Sequence, residues 1–541
     1  MKSLDTIADI DHLRQLASIY QKQVGLLIER IAYLTKELAT LRQQNGKEAV
    51  QLELEKLTQE LEELQRSNRS EDEEEKAADK AKRRKQRKKP QTGHGPTKQP
   101  DLPLTEVIHT LDKPDLACPI CLGTLKEFKD QFETSEEVTY QPPKIILLRH
   151  KRQKYRCKCG GCIETALGPL KLIKGGRYSI AFAIAVCIAK YLDHLPLERQ
   201  VRQFSRPGLK VSAQTLFDQT WAVVLVLLPT YKALFERVKS AGALYIDDTG
   251  WKMMKPNDVQ SWHLWNVNAG TVSWYTLSST KGAPLVSLLL GDYKGIVVGD
   301  GAAAYASVQK NGGYKTTVKA FSVITPDGDI AHKEVADMPM TPAPFLLANC
   351  WAHVLRKFRA ASKHFYRQSK PFLDQIKLLY EIEKEADVLA LERAGPEASN
   401  SEKYAQLLEA RRELRSTRSK PIVKSMLLWL KTPRILPSSP VGKAISYTLG
   451  LWSGLIQFLD HPEILLDNNR SERALRGPVI GRRNFAGVRS DRGAVVAAVL
   501  YSLFETAKLC GVNPAAYLES AVLGSLKNPG AVFLPEPLLS D

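Results

Sequence analysis

The stretch from Ala243 to Asp300 constrains the fold of this chain more than any other. "ALYIDD", "SWHLWNVNA" and "TVSWYTLSS" are short runs rich in aromatic and β-branched residues, which is the pattern of three strands. "GAPLVSLLLGDY" follows as a helix, and "GIVVGDGAAAY" as a buried strand that ends on Asp300. Strand, strand, strand, helix, strand is the order of an α/β domain. It sets one carboxylate, Asp247, at the end of the first strand and another, Asp300, just after the fourth. The two-residue period of a strand sends Asp247 and Asp248 to opposite faces for as long as the strand persists, so the two are expected to serve different ends.

At 541 residues the chain has room for roughly three or four domains. Its 77 Lys+Arg against 59 Asp+Glu give a net charge of +18, which points to a polyanionic partner, nucleic acid before anionic membrane. The longest apolar run, Ile180 to Ala189, falls short of the ~20 residues that span a bilayer, so no membrane role is expected. The N-terminus "MKSLDTIADIDHL" does not resemble a signal peptide. Eight cysteines without an export signal are expected to be reduced thiols, which places the protein inside the cell.

Residues 1–70 carry apolar positions at Leu13, Leu16, Tyr20, Val24, Leu27, Ile31, Leu34, Leu38 and Leu41, resuming at Leu54, Leu57, Leu61 and Leu64. This is a heptad seam and predicts a coiled coil, hence self-association, with a helical pair folding back at Asn45-Gly46 as the alternative. Residues 71–105 form a charged arm, acidic in "EDEEE" and basic in "KRRKQRKK", that cannot bury itself. Arg83, Arg84, Lys85, Arg87, Lys88 and Lys89 suit phosphate contacts without sequence specificity. Residues 106–170 hold Cys118 and Cys121, then, after 35 intervening residues, Cys157, Cys159 and Cys162. Two such knuckles can surround one structural Zn²⁺, and four of the five thiolates would bind it. Residues 171–240 are helical, and "PLERQVRQFSRPGLKVSAQTLFDQTW" reads as a helix-turn-helix or as a plain packed hairpin, with Ser212 as an N-cap.

A third acid is needed if Asp247 and Asp300 hold metal, because Mg²⁺ prefers oxygen ligands. "LDNNRSERALRGPVIGRRNFAGVRSDRG" supplies Glu472, in the first turn of a helix that Asp467 or an Asn could cap. Between Arg470 and Arg492 there are seven arginines and two acids, Glu472 and Asp491. Arg470, Arg473, Arg476, Arg482 and Arg483 are suited to gripping DNA phosphates, and an exposed Glu472–Arg476 pair is the plain structural alternative for this segment. In "NCWAHVLRKF", His353 could contact DNA, support a carboxylate or fill the core, while Arg356 and Lys357 could touch phosphate.

The succession of heptads, basic arm, cysteine module, "IDDTGW", "GDGAAAY", "NCWAHVLRKF", "DNNRSERALRGPVIGRRNF" and "SLFETAKLCGVNPAAYL" resembles the bacterial insertion sequence 66 family of DDE transposases over nearly the whole chain. The resemblance implies a multidomain chain whose α/β ribonuclease H-like catalytic domain has an α-helical insertion. Its core would occupy 241–364 and 441–495, the insertion 365–440, and a C-terminal helical segment 496–541. By matching blocks, the catalytic acids would be Asp247, Asp300 and Glu472, binding two Mg²⁺ or Mn²⁺ ions. The implied activity is cleavage at element ends and strand transfer into target DNA, at the nucleoid in a bacterial cytoplasm, with two small companion proteins encoded by the same element. Two departures stand out: Asp247-Asp248-Thr249 replaces the family's Asp-Glu-Thr, and the second cysteine pair carries an extra cysteine. The competing expectations are a non-catalytic DNA-binding protein and a structure-selective nuclease.

Overall fold

The computed structural model describes residues 106, 145–156 and 163–535, apart from 256–257, 314–315, 339–340 and 433–434. The heptads of 1–70, the arm of 71–105 and all five cysteines of the zinc module lie outside those residues. The chain divides into two compact units, Met1–Thr97 with Ser362–Gln368 and Lys98–Ala361 with Ser369–Asp541; the fold is that of the second.

A small antiparallel pair, β1 (Lys154–Arg156) and β2 (Ile163–Thr165), precedes α1 (Ile180–Tyr191), α2 (Leu197–Ser205) and α3 (Ala213–Lys239). Ser179 and Ser212 cap α1 and α3 by accepting from Phe182 N and Thr215 N, which satisfies amide donors that have no partner within the helix. Around the Pro207-Gly208 turn these helices close a small apolar cluster of Val186, Leu197 and Leu216. The remainder of α3 runs into the main core.

That core is built on a sheet. β3 (Ala243–Lys255), β4 (Asp258–Ala269) and β5 (Val272–Ser278) form an antiparallel meander, and the first two are longer than the short runs of the sequence suggested. Gly270, at φ +52°, makes the tight β4–β5 turn, where a left-handed residue matches the twist of a two-residue hairpin. α4 (Ala283–Leu290) crosses to β6 (Ile296–Gly299), parallel to β3, and α5 (Ala303–Asn311) follows. The hairpin β7 (Ala320–Ile324) and β8 (Ile330–Glu334) extends the sheet beyond β5, and β9 (Leu346–Asn349) lies parallel to β6. The order is β8-β7-β5-β4-β3-β6-β9.

Helices complete the unit: α6 (Trp351–Ala361); then α7 (Tyr366–Ala394), α8 (Asn400–Leu414), a π-helical turn at Arg415–Ser419 and α9 (Lys420–Lys431); then α10 (Pro440–Gly450) and α11 (Trp452–Leu455). α12 (Asn469–Ala474), α13 (Arg476–Phe485), the short β10 (Gly487–Val488), α14 (Asp491–Leu509) and α15 (Pro514–Lys527) end it. The α7–α8 pair has a core of its own, in which Ile382, Ala386 and Ala390 meet Ala410 and Leu414. α14 packs on β5, where Leu277, Leu500 and Phe504 are almost fully buried, each side chain contributing about 1.5–3 kcal/mol. β7 pairs with β5 only at Ser278, and α14 takes up the strand donors left over: Tyr275 N donates to Ser502 Oγ (2.8 Å) and Ser273 N to Thr506 Oγ1 (3.1 Å). Among the described residues no helix is long and apolar enough to cross a membrane.

One irregularity matters for function. β6 pairs with β3 only from Ala243 to Tyr245, and β10 joins β3 at Lys252 and Met253, on the side that β4 does not occupy. Between these points the edge of β3 has no strand neighbour, and such a break beyond the carboxyl end of a parallel strand is where α/β sheets receive ligands.

Candidate active site

Asp247 and Asp248 sit on that open edge, in an open cleft of 430 Å³ that Thr249, Glu472, Arg476 and Arg483 also line. Asp248 Oδ2 lies 2.8 Å from His263 Nδ1 on β4, and Asp248 N donates to Asp247 Oδ1 (2.9 Å). The strand persists to Lys255, yet both carboxylates border the cleft. Alternation predicts opposite faces; here the cleft opens on the edge of β3, so both faces contribute to its wall.

Asp300 follows β6 directly, and its Oδ1 accepts from Ala302 N (2.9 Å), which turns the chain toward α5. Gly301 permits this turn: its φ is +86°, and a Cβ there would stand 2.7 Å from Leu451 Cδ1. Glu472 is carried by α12, whose entry is fixed by Asp467: Oδ1 accepts from Asn469 N (3.0 Å) and Oδ2 from the Tyr380 hydroxyl (2.8 Å). Asn468 occupies the N-cap position without a side-chain cap bond, and Asp467, one residue before it, holds the first amide of the helix.

The electrostatics of the three acids are linked. Burial pushes the Asp247 carboxyl up to about 7; its bond from the Asp248 amide opposes this, and the charges of Asp300, Asp248 and Glu472 raise it further. Glu472 Oε2 is held by Arg356 of α6, while its Oε1 is buried without a hydrogen-bond partner and lies 3.8 Å from His353 Nε2. The i,i+4 partner weighed from the sequence, Arg476, lines the cleft instead. Burial, then the Arg356 charge, holds His353 below the usual imidazole range, despite opposing pulls from Glu472 and Asp300. Among the described residues, Cys350, His353 and Glu472 bring ligand atoms within 4.8 Å of one another; Asp247, Asp300 and Glu472 do not draw so close, and Arg356 holds Glu472 Oε2 from the α6 side.

The predicted arginines fall in several settings. Arg476 and Arg483 face the cleft, and Arg473 is exposed. Arg482 Nη1 donates to Gly250 O and to Thr249 Oγ1 (3.2 Å), fastening α13 to the open edge of β3. Arg470 lies over the Tyr245 ring (5.9 Å) and Lys357 over that of Tyr447 (5.3 Å). Arg83, Arg84, Lys85, Arg87, Lys88 and Lys89, like the zinc cysteines, are outside the described residues. Sequence reasoning missed His263, and it missed the polar residues that dock α12. A lone histidine on a strand carried no signal, whereas "DNN" before an acid could have been read as more than a cap.

Two family models match the chain. Residues 175–496 match the Transposase IS66 family, more than half of the chain, and residues 115–160 match the zinc-finger binding domain of transposase IS66. The chain therefore belongs to the IS66 transposase family, which implies a DNA-cutting transposase that binds DNA and supports a structural Zn²⁺ in the zinc-finger domain. Cys118, Cys121, Cys157 and Cys159 fall inside the second match and Cys162 just beyond it. The chain is also similar to two uncharacterized proteins of Sinorhizobium fredii (strain NBRC 101917 / NGR234). With y4jD it is 28% identical over 432 residues, 77% of this chain and 76% of that one. With y4hP it is 26% identical over 443 residues, 77% and 72% of the two chains.

Proposed function

We propose that Asp247, Asp300 and Glu472 are the acids of a metal-dependent DDE site that cuts the ends of an insertion sequence and joins them to target DNA. The observation that carries this reading is that Asp247 and Glu472 line one cleft at the break in the β3 edge, with Asp300, just past β6, outside the cleft wall but near enough for its charge to act on Asp247. A ribonuclease H-like core is supported by the antiparallel β5-β4-β3 meander continued by parallel β6 and β9.

The donor set fits divalent cations. Hard carboxylate oxygens suit Mg²⁺ or Mn²⁺, burial and then neighbouring carboxylate charge raise Asp247, and Glu472 Oε1 is a buried acceptor without a donor. Asp247, Asp300 and Glu472 would hold the ions, and the chemistry such ions supply is Lewis-acid activation of the attacking and leaving oxygens. Arg476 and Arg483, on the cleft wall, grip phosphate as planar bidentate donors and set the scissile bond against the acids. Without the ions, Arg356 holds Glu472 Oε2, and His353 Nε2 accepts from Arg356 Nη1 (3.2 Å). In cleavage, water adds to phosphorus and the P–O3′ bond breaks, leaving a 3′-hydroxyl. In joining, that hydroxyl adds to a target phosphorus and releases a target 3′-hydroxyl, so phosphodiester count is conserved and no covalent protein intermediate forms. The heptads of 1–70 would pair subunits, and the basic arm and the α2–α3 pair would add contacts to duplex DNA.

The test is a transposition assay in bacteria with the element intact and any companion proteins supplied. Asp300→Asn is expected to bring joined products to background while Asp248→Asn lowers them partially. Parental frequencies with Asp300→Asn would overturn the site, and nicked but never joined DNA with the parent would favour the nuclease.

A further inference from the structure

α12 has only six residues, too few to hold an orientation by itself, yet it carries Glu472. Its placement comes from side chains that bond the backbone of β3. Asn468 Nδ2 donates to Ile246 O (2.8 Å), one residue past the last that β6 pairs, and Ser471 Oγ donates to Tyr245 O (2.9 Å), opposite Asn268 of β4. Asn268, opposite Tyr245 on β4, donates from Nδ2 to Ser471 Oγ (2.9 Å). Asn468, Ser471 and Asn268 are each 0% exposed. Asn468 is also anchored through its amide, which donates to Cys350 Sγ (3.2 Å), and its carbonyl accepts from Glu472 N (3.2 Å).

The acceptors are the two peptide carbonyls immediately before Asp247, so the first and third acids are referred to one piece of backbone. Buried polar groups are costly unless bonded, and a core position adjacent to an apolar strand would ordinarily be filled by an aliphatic residue. We infer that Asn468 and Ser471, backed by Asn268, are positioning residues that peg α12 to the β3 edge and set the separation of Glu472 from Asp247. This inference rests on the proposed role of Glu472 as a metal-binding acid. Residues that orient ligands in this way typically govern metal affinity or activity by about 10–100-fold.

The experiment is a Mn²⁺ titration of the full chain, with its zinc retained, followed by electron paramagnetic resonance well below the melting temperature. Glu472→Gln defines the signal that belongs to the site. Ser471→Ala is expected to weaken that Mn²⁺ binding about 10-fold, Asn468→Ala at least as much, and Ser471→Thr, which keeps the hydroxyl, within about twofold of the parent. A purely structural role would lower the melting temperature of Ser471→Ala and Asn468→Ala without moving Mn²⁺ affinity, and that result would overturn the inference while leaving the proposed role of Glu472 intact. If Glu472→Gln binds Mn²⁺ as the parent does, the role of Glu472 itself fails. Should Asn468→Ala not fold, Ser471→Ala, which deletes one oxygen from the same contact, decides alone.

Discussion

Glu383 in α7 and Glu472 in α12 are both largely buried glutamates that face arginine, and the protein treats them in opposite ways. Both oxygens of Glu383 accept from Arg415, at 2.7 Å each, and Arg415 gives its remaining donors to the carbonyls of Phe458 (2.6 Å), His461 (3.0 Å) and Ile464 (2.9 Å). In that pair both carboxylate oxygens and every Arg415 donor have a partner within the chain. Glu472 has one oxygen on a half-exposed Arg356 and the other buried and unpartnered, with Asp247 and Asp300 adding like charge nearby. That unpartnered oxygen on a cleft wall is the feature on which the proposed metal-binding role draws.

The same substitution should therefore behave differently in the two regions. Glu383→Gln leaves the fully buried Arg415 without its counter-ion and is expected to cost about 3–5 kcal/mol in denaturant unfolding. Glu472→Gln relieves repulsion and is expected to stay within about 1 kcal/mol of the parent by the same measurement. Equal losses would break the contrast.

A smaller effect sharpens it. The Asp247 carboxyl is raised in the folded state to about 7, so the folded form holds a proton that the unfolded chain gives up near pH 4. Between those values the unfolded state binds fewer protons, and stability falls as pH rises. Without divalent ions, Asp247→Asn is expected to raise the melting temperature by a few degrees at pH 8, with the gain shrinking toward pH 4. A gain that grows on acidification would contradict the assignment. Smallest of all, Arg356→Gln removes a half-exposed competitor for Glu472 and should tighten Mn²⁺ binding by no more than about fivefold, read by the same resonance titration.

The frame of the site was legible in the sequence, whereas the Glu383–Arg415 pair was not. Periodicity exposed the succession of β3, β4, β5, α4 and β6 along the chain, helped by β5 and β6 being buried at every position. It placed Asp300 just beyond a strand, as found, but Asp247 at a strand end, whereas β3 continues to Lys255. Glu472 was a candidate from its place in a first helical turn, and the resemblance of its block raised it above an exposed pair with Arg476. The β7–β8 hairpin gave little signal, being short and largely exposed along β8. The pegs were invisible for another reason: Asn268, Ser471 and Asn468 are polar side chains whose burial depends on α12 docking against β3 and β4, a tertiary contact between distant segments. Likewise the arginines of α12 and α13 look alike in sequence, and only tertiary contacts separate Arg482, bonded to β3, from Arg476 and Arg483 on the cleft wall.

The central claim is that the acids at the open edge of β3 work as one metal-dependent DNA-cutting site. It is tested most directly by incubating full-length protein and Mg²⁺ with a duplex carrying the sequences that flank its own gene, and mapping the cleaved ends. The account predicts 3′-hydroxyl ends from the parent, none from Glu472→Gln, and equal DNA retention by both in gel-shift experiments. Cleavage by Glu472→Gln at the parental rate and position would contradict it.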